Sequence, residues 1–156
     1  MYVDNNLVVS GAVGSTGTIS SQTVTGTNTS VLSTNTIDLL QNRDMGEGED
    51  FYLRTQVTTA ASGGTSVEVQ AIYADDAALS TNVVVAGSTG AIPIASLTLG
   101  ARVACEVNPR LASKGQRYLG ARYVLVGAVA AGAYFSDFGA EVQDGQKFYP
   151  SGFSVL

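Results

Sequence analysis

From Leu119 to Leu125 every second residue is apolar: Leu119, Ala121, Tyr123 and Leu125 share one phase, and Tyr118, Gly120, Arg122 and Val124 take the other. A period of two puts alternate side chains on opposite faces of an extended strand. A helix here would hold Gly120 and Gly127, each costing about 1 kcal/mol relative to alanine. The same alternation recurs at Phe51, Leu53, Thr55 and Val57, with Tyr52, Arg54 and Gln56 opposed, and at Val67, Val69, Ala71 and Tyr73, with Glu68 and Gln70 opposed. It appears again at Val103, Cys105 and Val107 against Arg102 and Glu106. No amphipathic helix of three turns can be drawn. Such a chain must bury its apolar phase between sheets, so the fold class is all-β: a sandwich, jelly roll or small barrel.

Turn chemistry divides the remainder. The sequence ASGGTS between residues 57 and 67 predicts a β-hairpin of the two flanking runs. Residues 74–79 form a connection with room for one helical turn. A short strand follows at residues 83–86, then a turn at Gly87-Ser88-Thr89-Gly90, then Ile92-Pro93-Ile94, whose proline suits an edge. A polar, basic loop spans residues 110–116. Gly127 to Gly132 reads as a turn, and residues 133–142 as the last strand. The total is seven or eight strands in a β-sandwich domain over residues 36–144. Ahead of it, residues 1–35 are rich in Ser, Thr and Gly, with no charge between Asp4 and Asp38. This composition predicts an extended arm, with an edge strand at most, that orders against something else, or a loose terminus. Residues 145–156 form a short tail carrying Phe148, Tyr149 and Phe153.

Charge and composition narrow the function. The net charge of −5 argues against nucleic acid and against an acidic membrane surface, both of which call for clustered Lys and Arg. No run nears the roughly 20 apolar residues that span a bilayer, and MYVDNNLVVSG lacks the basic flank of a secretory signal. Charged residues make up 13% of the chain, about half the usual share, which suits a surface of hydroxyls and amides or one covered by partners. With no histidine, the commonest general base and zinc ligand are missing. Cys105, the single cysteine, lies in the apolar phase of its run and reads as an inert buried thiol. Asp75 and Asp76 lack calcium-loop spacing and read as a solvated loop; Asp44, Glu47, Glu49 and Asp50 form a second acidic loop. The GSTG at residues 14–17 has no following lysine and is not a phosphate loop. Tyr118 and Tyr123 are expected in or near the core. Arg117 and Arg122 are left to pair with loop acids or with a neighbouring subunit.

The order and spacing of several segments resemble the jelly-roll capsid cement proteins of tailed bacteriophages, also called decoration or stabilisation proteins. The resemblance runs over roughly residues 35–144. It is carried by Ile37-Asp38-Leu39 with Arg43-Asp44-Met45-Gly46, by GGTSVEVQAIYADDAALS, by GAIPIASLTLGARVACEVNP, and by Arg117-Tyr118-Leu119-Gly120 with Arg122-Tyr123. It implies a jelly-roll-like antiparallel sandwich without enzymatic activity or cofactor, made in the host cytoplasm and placed on the outside of the assembled head. There it would clamp neighbouring major capsid subunits, and self-association as a dimer or trimer is implied as well. The residues expected at such interfaces are Arg110, Lys114, Arg117 and Arg122, with Phe148, Tyr149 and Phe153 as aromatic anchors. A carbohydrate-binding or adhesin-like module on the same architecture is the alternative, weakened by the absence of tryptophan.

Overall fold

A computed structural model describes residues 3–40, 50–108 and 116–140. It carries thirteen strands among these: β1 (Val8–Ser10), β2 (Ala12–Val13), β3 (Ile19–Ser20), β4 (Gln22–Thr23), β5 (Gly26–Thr27), β6 (Ser30–Leu32), β7 (Ile37–Asp38), β8 (Tyr52–Gly63), β9 (Ser66–Ala74), β10 (Val84–Pro93), β11 (Arg102–Glu106), β12 (Tyr118–Val126) and β13 (Ala128–Gly139). The only helical pieces among the described residues are 3-10 turns at Asn5–Leu7 and Ile94–Ser96. One sheet runs β1-β13-β8-β11, with β4 and β5 also on β13. The other runs β10-β9-β12-β6, with β7 also on β12. All pairings are antiparallel. The protein is an all-β sandwich.

The predicted inward phases form its core. Leu53 and Val57 of β8, Val67, Val69, Ala71 and Tyr73 of β9, Cys105 of β11, and Leu119, Ala121, Tyr123 and Leu125 of β12 are buried in one apolar cluster with Tyr134 and Phe138 of β13. Each fully buried large aliphatic side chain contributes roughly 1.5–3 kcal/mol. Phe51 stacks on Phe138 with ring centroids 5.4 Å apart.

The predicted hairpin of residues 51–57 with 67–73 does not form. β8 and β9 lie in different sheets, and the glycines between them carry the chain across the sandwich. Gly63 (φ +71°) and Gly64 (φ +69°) supply the left-handed backbone of that crossing. β12 and β13 make the matching crossing at Gly127 (φ +81°). Since β8 pairs with β13 and β9 with β12, one two-stranded ribbon folds over at its glycines. Two other turn expectations are corrected for a related reason. Gly87–Gly90 does not end a strand but lies inside β10, where bulges at residues 85–87 and 88–91 absorb the extra residues. The turn after β12 is confined to Gly127, so Gly132 sits within β13. The edge position expected for Pro93 is observed.

Residues 3–35 are extended apart from the 3-10 turn at Asn5–Leu7, and the segment orders on its own chain. Ser10 pairs with Ser136, Gln22 with Tyr134, Gly26 with Val129, and Val31 with Tyr123. The segment thus passes from the edge of one sheet to the edge of the other. Buried Gln22 ties that passage: its Nε2 donates to the Leu32 carbonyl (2.6 Å) and its Oε1 accepts from the Thr34 amide (3.1 Å). Removing residues 1–30 would therefore strip β1, β4 and β5 from one sheet and shorten β6 of the other. Only β2 and β3 stand apart, as a separate two-stranded sheet.

Candidate functional site

Of the seven predicted interface residues, Arg110, Lys114, Phe148, Tyr149 and Phe153 lie outside the described residues, as does the acidic stretch of residues 41–49. Arg117 and Arg122 are described, Arg117 immediately before β12 and Arg122 at its middle. Arg117 makes a two-pronged ion pair with Asp38 of β7: Nε to Oδ1 and Nη2 to Oδ2, both 2.6 Å. Its guanidinium also lies 5.3 Å from the Tyr118 ring centroid. The hydrogen bond from Arg117 pulls the Asp38 carboxyl below its ordinary range, and that bond raises Arg117 in turn. The arginine side chain remains 50% exposed. It is both a strap holding β7 to β12 and a cation at the surface.

Arg122 belongs to a polar strip on the outer face of the second sheet. Its Nε donates to Gln70 Oε1 (2.8 Å), Gln70 Nε2 donates to Glu68 Oε1 (2.6 Å), and Ser88 Oγ donates to the same oxygen (2.6 Å). The hydroxyl of Ser88, then the amide of Gln70, hold the Glu68 carboxyl below its usual value. Three adjacent strands are cross-linked by this strip. The opposite sheet has its counterpart in Arg54 and Asp137, a nearly buried ion pair across β8 and β13. Burial raises the Asp137 carboxyl, and Arg54 opposes that rise.

The loop after β9 is organised by Asp76, whose carboxylate accepts from Ser80 Oγ (2.7 Å), Ser80 N (2.9 Å) and Thr81 N (2.7 Å). That set lowers the carboxyl to about 2, the Ser80 hydroxyl contributing most. The loop lays Leu79 over Gly120 on the outer face of the sheet, beside Ile72 and Ala74. Gly120 marks a close approach of this loop to the sheet. Among the described residues, no group of three potential metal ligands gathers. Cys105 is buried, and burial pushes its thiol up to about 11, so the reactive thiolate is scarce at neutral pH.

A feature not read from sequence lies between the sheets. Tyr123 Oη donates to Ser10 Oγ (2.7 Å) and sits 2.6 Å from Ser136 Oγ, which is 2.7 Å from Thr55 Oγ1. All four residues are buried. The chain of hydroxyls joins β12 of one sheet to β1, β13 and β8 of the other. Period two places Thr55, Tyr123 and Ser136 inward, but only the strand register brings their oxygens together.

The strand edges complete the surface. β10 is blunted by its two bulges and by Pro93, and it is partly covered where Asn108 N donates to the Ala86 carbonyl (2.8 Å). β11 carries Arg102 and Glu106 at its ends. The β2–β3 pair has none of these devices. Large apolar side chains stand exposed at Ile19, Leu40, Val85, Leu99 and Val126.

A search of the curated proteins finds no match. The family model named Bbp16 matches residues 18–138, from the strand before β4 almost to the end of β13. That match covers most of the sequence and nearly all of the two-sheet sandwich, and the chain belongs to the Bbp16 family.

Proposed function

We propose that the protein is a structural cement component of a phage capsid, a jelly-roll-like sandwich that binds the outside of the assembled head and clamps neighbouring major capsid subunits. One observation carries the reading: among the described residues, most of the carboxylates that lie in the folded sheets and their loops are already committed to partners within the chain. Asp38 is held by Arg117, Asp137 by Arg54, Glu68 by Ser88 and Gln70, and Asp76 by its own loop. Cys105 and Tyr123 are buried with raised pKa values. What the described surface offers instead is strand edges, hydroxyl and amide side chains and a few scattered charges, which suit binding rather than turnover. The folded ribbon of β8–β9 against β12–β13 supports the jelly-roll description, because that architecture is a hairpin ribbon wound into two sheets.

The sugar-binding alternative lacks its platform among the described residues. Tyr73, Tyr123, Tyr134, Phe135 and Phe138 are buried, Phe51 stacks on Phe138, Tyr118 lies beneath Arg117, and half-buried Tyr52, its hydroxyl on Asp50, stands without a second exposed ring beside it. A shell clamp works by multiple modest contacts, whose joint strength exceeds any one of them by about 10²-fold or more. The test is co-sedimentation of purified protein with heads of the encoding phage assembled without it, followed by density maps of the two kinds of particle. Saturable binding and added density on the outer surface are expected. Heads that leave the protein in the supernatant defeat the proposal.

A further inference from the structure

The β2–β3 hairpin is a strand pair with a missing neighbour. Its turn is well made: Gly14 N donates to the Thr18 carbonyl (2.7 Å), Gly17 N to the Gly14 carbonyl (2.9 Å), and Gly17 takes φ +79°. That is a three-residue loop closed by a left-handed glycine. Two-stranded hairpins are marginal in water, and among the described residues no other strand pairs with this one.

The ladder tells which backbone groups face outward. Gly14 and Thr18 form a hydrogen-bonded pair, so the next pair, Val13 and Ile19, is the non-bonded kind, with each N–H and C=O turned away from the hairpin. On the β2 side the chain itself lies alongside: Gly11 N donates to Thr34 Oγ1 (3.4 Å), and Asn35 Nδ2 donates to the Gly11 carbonyl (3.2 Å). Among the described residues the β3 side has no such flank, and its Ile19 is 47% exposed. Proteins guard edges with charge, proline or bulges. β10 and β11 are guarded in these ways, whereas the chain from Asn5 to Ile37 has no charged residue in a molecule of net charge −5.

We propose that the outer edge of β3 docks by backbone pairing, the Ile19 N–H and C=O joining an uncharged strand edge of a capsid subunit. This rests on the cement reading. The size of the hairpin argues for that occupant over a second copy. A stable free dimer needs a total of about 1,000 Å² of interface, and β3, two residues long, offers too short an edge to reach that alone. A short edge suffices where other contacts already hold the protein on a shell.

The experiment compares the unaltered protein with Ile19→Pro and Ile19→Val on heads of the encoding phage assembled without it. Proline deletes an N–H that the hairpin ladder does not use, so the fold is expected to survive, and valine keeps the donor. Binding at least about tenfold weaker for Ile19→Pro is expected, the effect of leaving one buried acceptor without its donor, with Ile19→Val within about twofold of the unaltered protein. Hydrogen exchange on the unaltered protein decides the matter even if Ile19→Pro fails to fold: the Ile19 amide should exchange fast in free protein and about tenfold or more slower on heads. Equal binding of a folded Ile19→Pro, or an Ile19 amide that exchanges equally fast in both states, overturns the inference and leaves the cement reading standing. An amide that becomes protected in free protein as its concentration rises names a second copy as the occupant and also overturns it. An unaltered protein that ignores the heads overturns both.

Discussion

A Cβ on Gly127 would lie 2.9 Å from the Cα of Gly64, so the two crossings between the sheets meet backbone to backbone. Asn28 fastens the junction from the N-terminal segment, its side-chain oxygen accepting from the Gly127 amide (2.8 Å). Alanine at 127 would suffer twice, through a left-handed conformation costing about 1–2 kcal/mol and through overpacking against backbone costing about 1–3 kcal/mol. Gly127→Ala is expected to destabilise by roughly 2–5 kcal/mol in urea unfolding. Gly17→Ala shares the positive φ but meets no atom within 4 Å, so it should lose only the first part, about 1–2 kcal/mol. Equal losses would show that the junction is not tightly packed.

The three buried tyrosines allow a second comparison. The Tyr123 hydroxyl is shared with Ser10 and Ser136, and burial keeps it protonated with a pKa of about 12. The hydroxyls of Tyr73 and Tyr134 meet no protein partner. Removing a buried donor strands its acceptors at about 1–3 kcal/mol, whereas removing an unpartnered buried hydroxyl relieves a desolvation cost of similar size. Tyr123→Phe is expected to lower stability by that amount, and Tyr73→Phe and Tyr134→Phe to leave it unchanged or raise it by up to about 1–3 kcal/mol. A neutral Tyr123→Phe would remove the hydroxyl chain from the list of what joins the sheets.

These two sites show how far the sequence could be read. The inward phases of β8, β9, β11 and β12 were legible because a half-buried strand writes its burial into a period of two. Which strands pair was not. ASGGTS is equally good chemistry for a hairpin and for a crossing between sheets, and the choice depends on Gly127, more than sixty residues away. The Ser/Thr-rich first 35 residues look coreless because their partners are the edges of β12 and β13, which local composition cannot reveal. Arg117 and Arg122 could be named as surface cations, but their partners Asp38 and Gln70 come from register. Arg110, Lys114, Phe148, Tyr149 and Phe153 keep only their sequence-based standing.

Leu79 and Gly120 form a couple that a double-mutant cycle can isolate. A Cβ on Gly120 would lie 2.5 Å from Leu79 Cδ1 and 3.0 Å from Ser33 Oγ, and Leu79 itself holds a left-handed φ of +54°. Gly120→Ala should cost about 1–3 kcal/mol by lifting the leucine, and Leu79→Ala about 2–4 kcal/mol by emptying its site. In the double variant the new methyl group occupies space that Leu79 vacated. The combined loss should therefore fall short of the sum by at least about 1 kcal/mol. Simple additivity would mean that the loop rides loosely over the sheet.

The same loop sets a dependence on acid. The Asp76 carboxyl is lowered from its ordinary 3.8 to about 2 by the Ser80 hydroxyl and the amides of Thr81 and Ser80. A carboxyl whose folded pKa lies below its unfolded one contributes stability that is present above the unfolded value and lost as pH falls through the folded one. The contribution of Asp76 should thus be complete above about pH 5 and fade between about pH 4 and 2. Asp76→Asn removes the charge while keeping one side-chain acceptor, so its stability cannot follow that titration. Asp38 and Glu68, also lowered, titrate alike in both proteins and cancel in the difference. The gap in melting temperature between the unaltered protein and Asp76→Asn is expected to be widest near neutrality and to narrow as the pH approaches 2. Leu79 rides on this loop, so exchange of the Leu79 amide, which donates to the Asp76 carbonyl (3.0 Å), should accelerate over the same range beyond the intrinsic effect of pH. A gap that stays constant from pH 6 to 2 would show that Asp76 does not hold the loop through its charge.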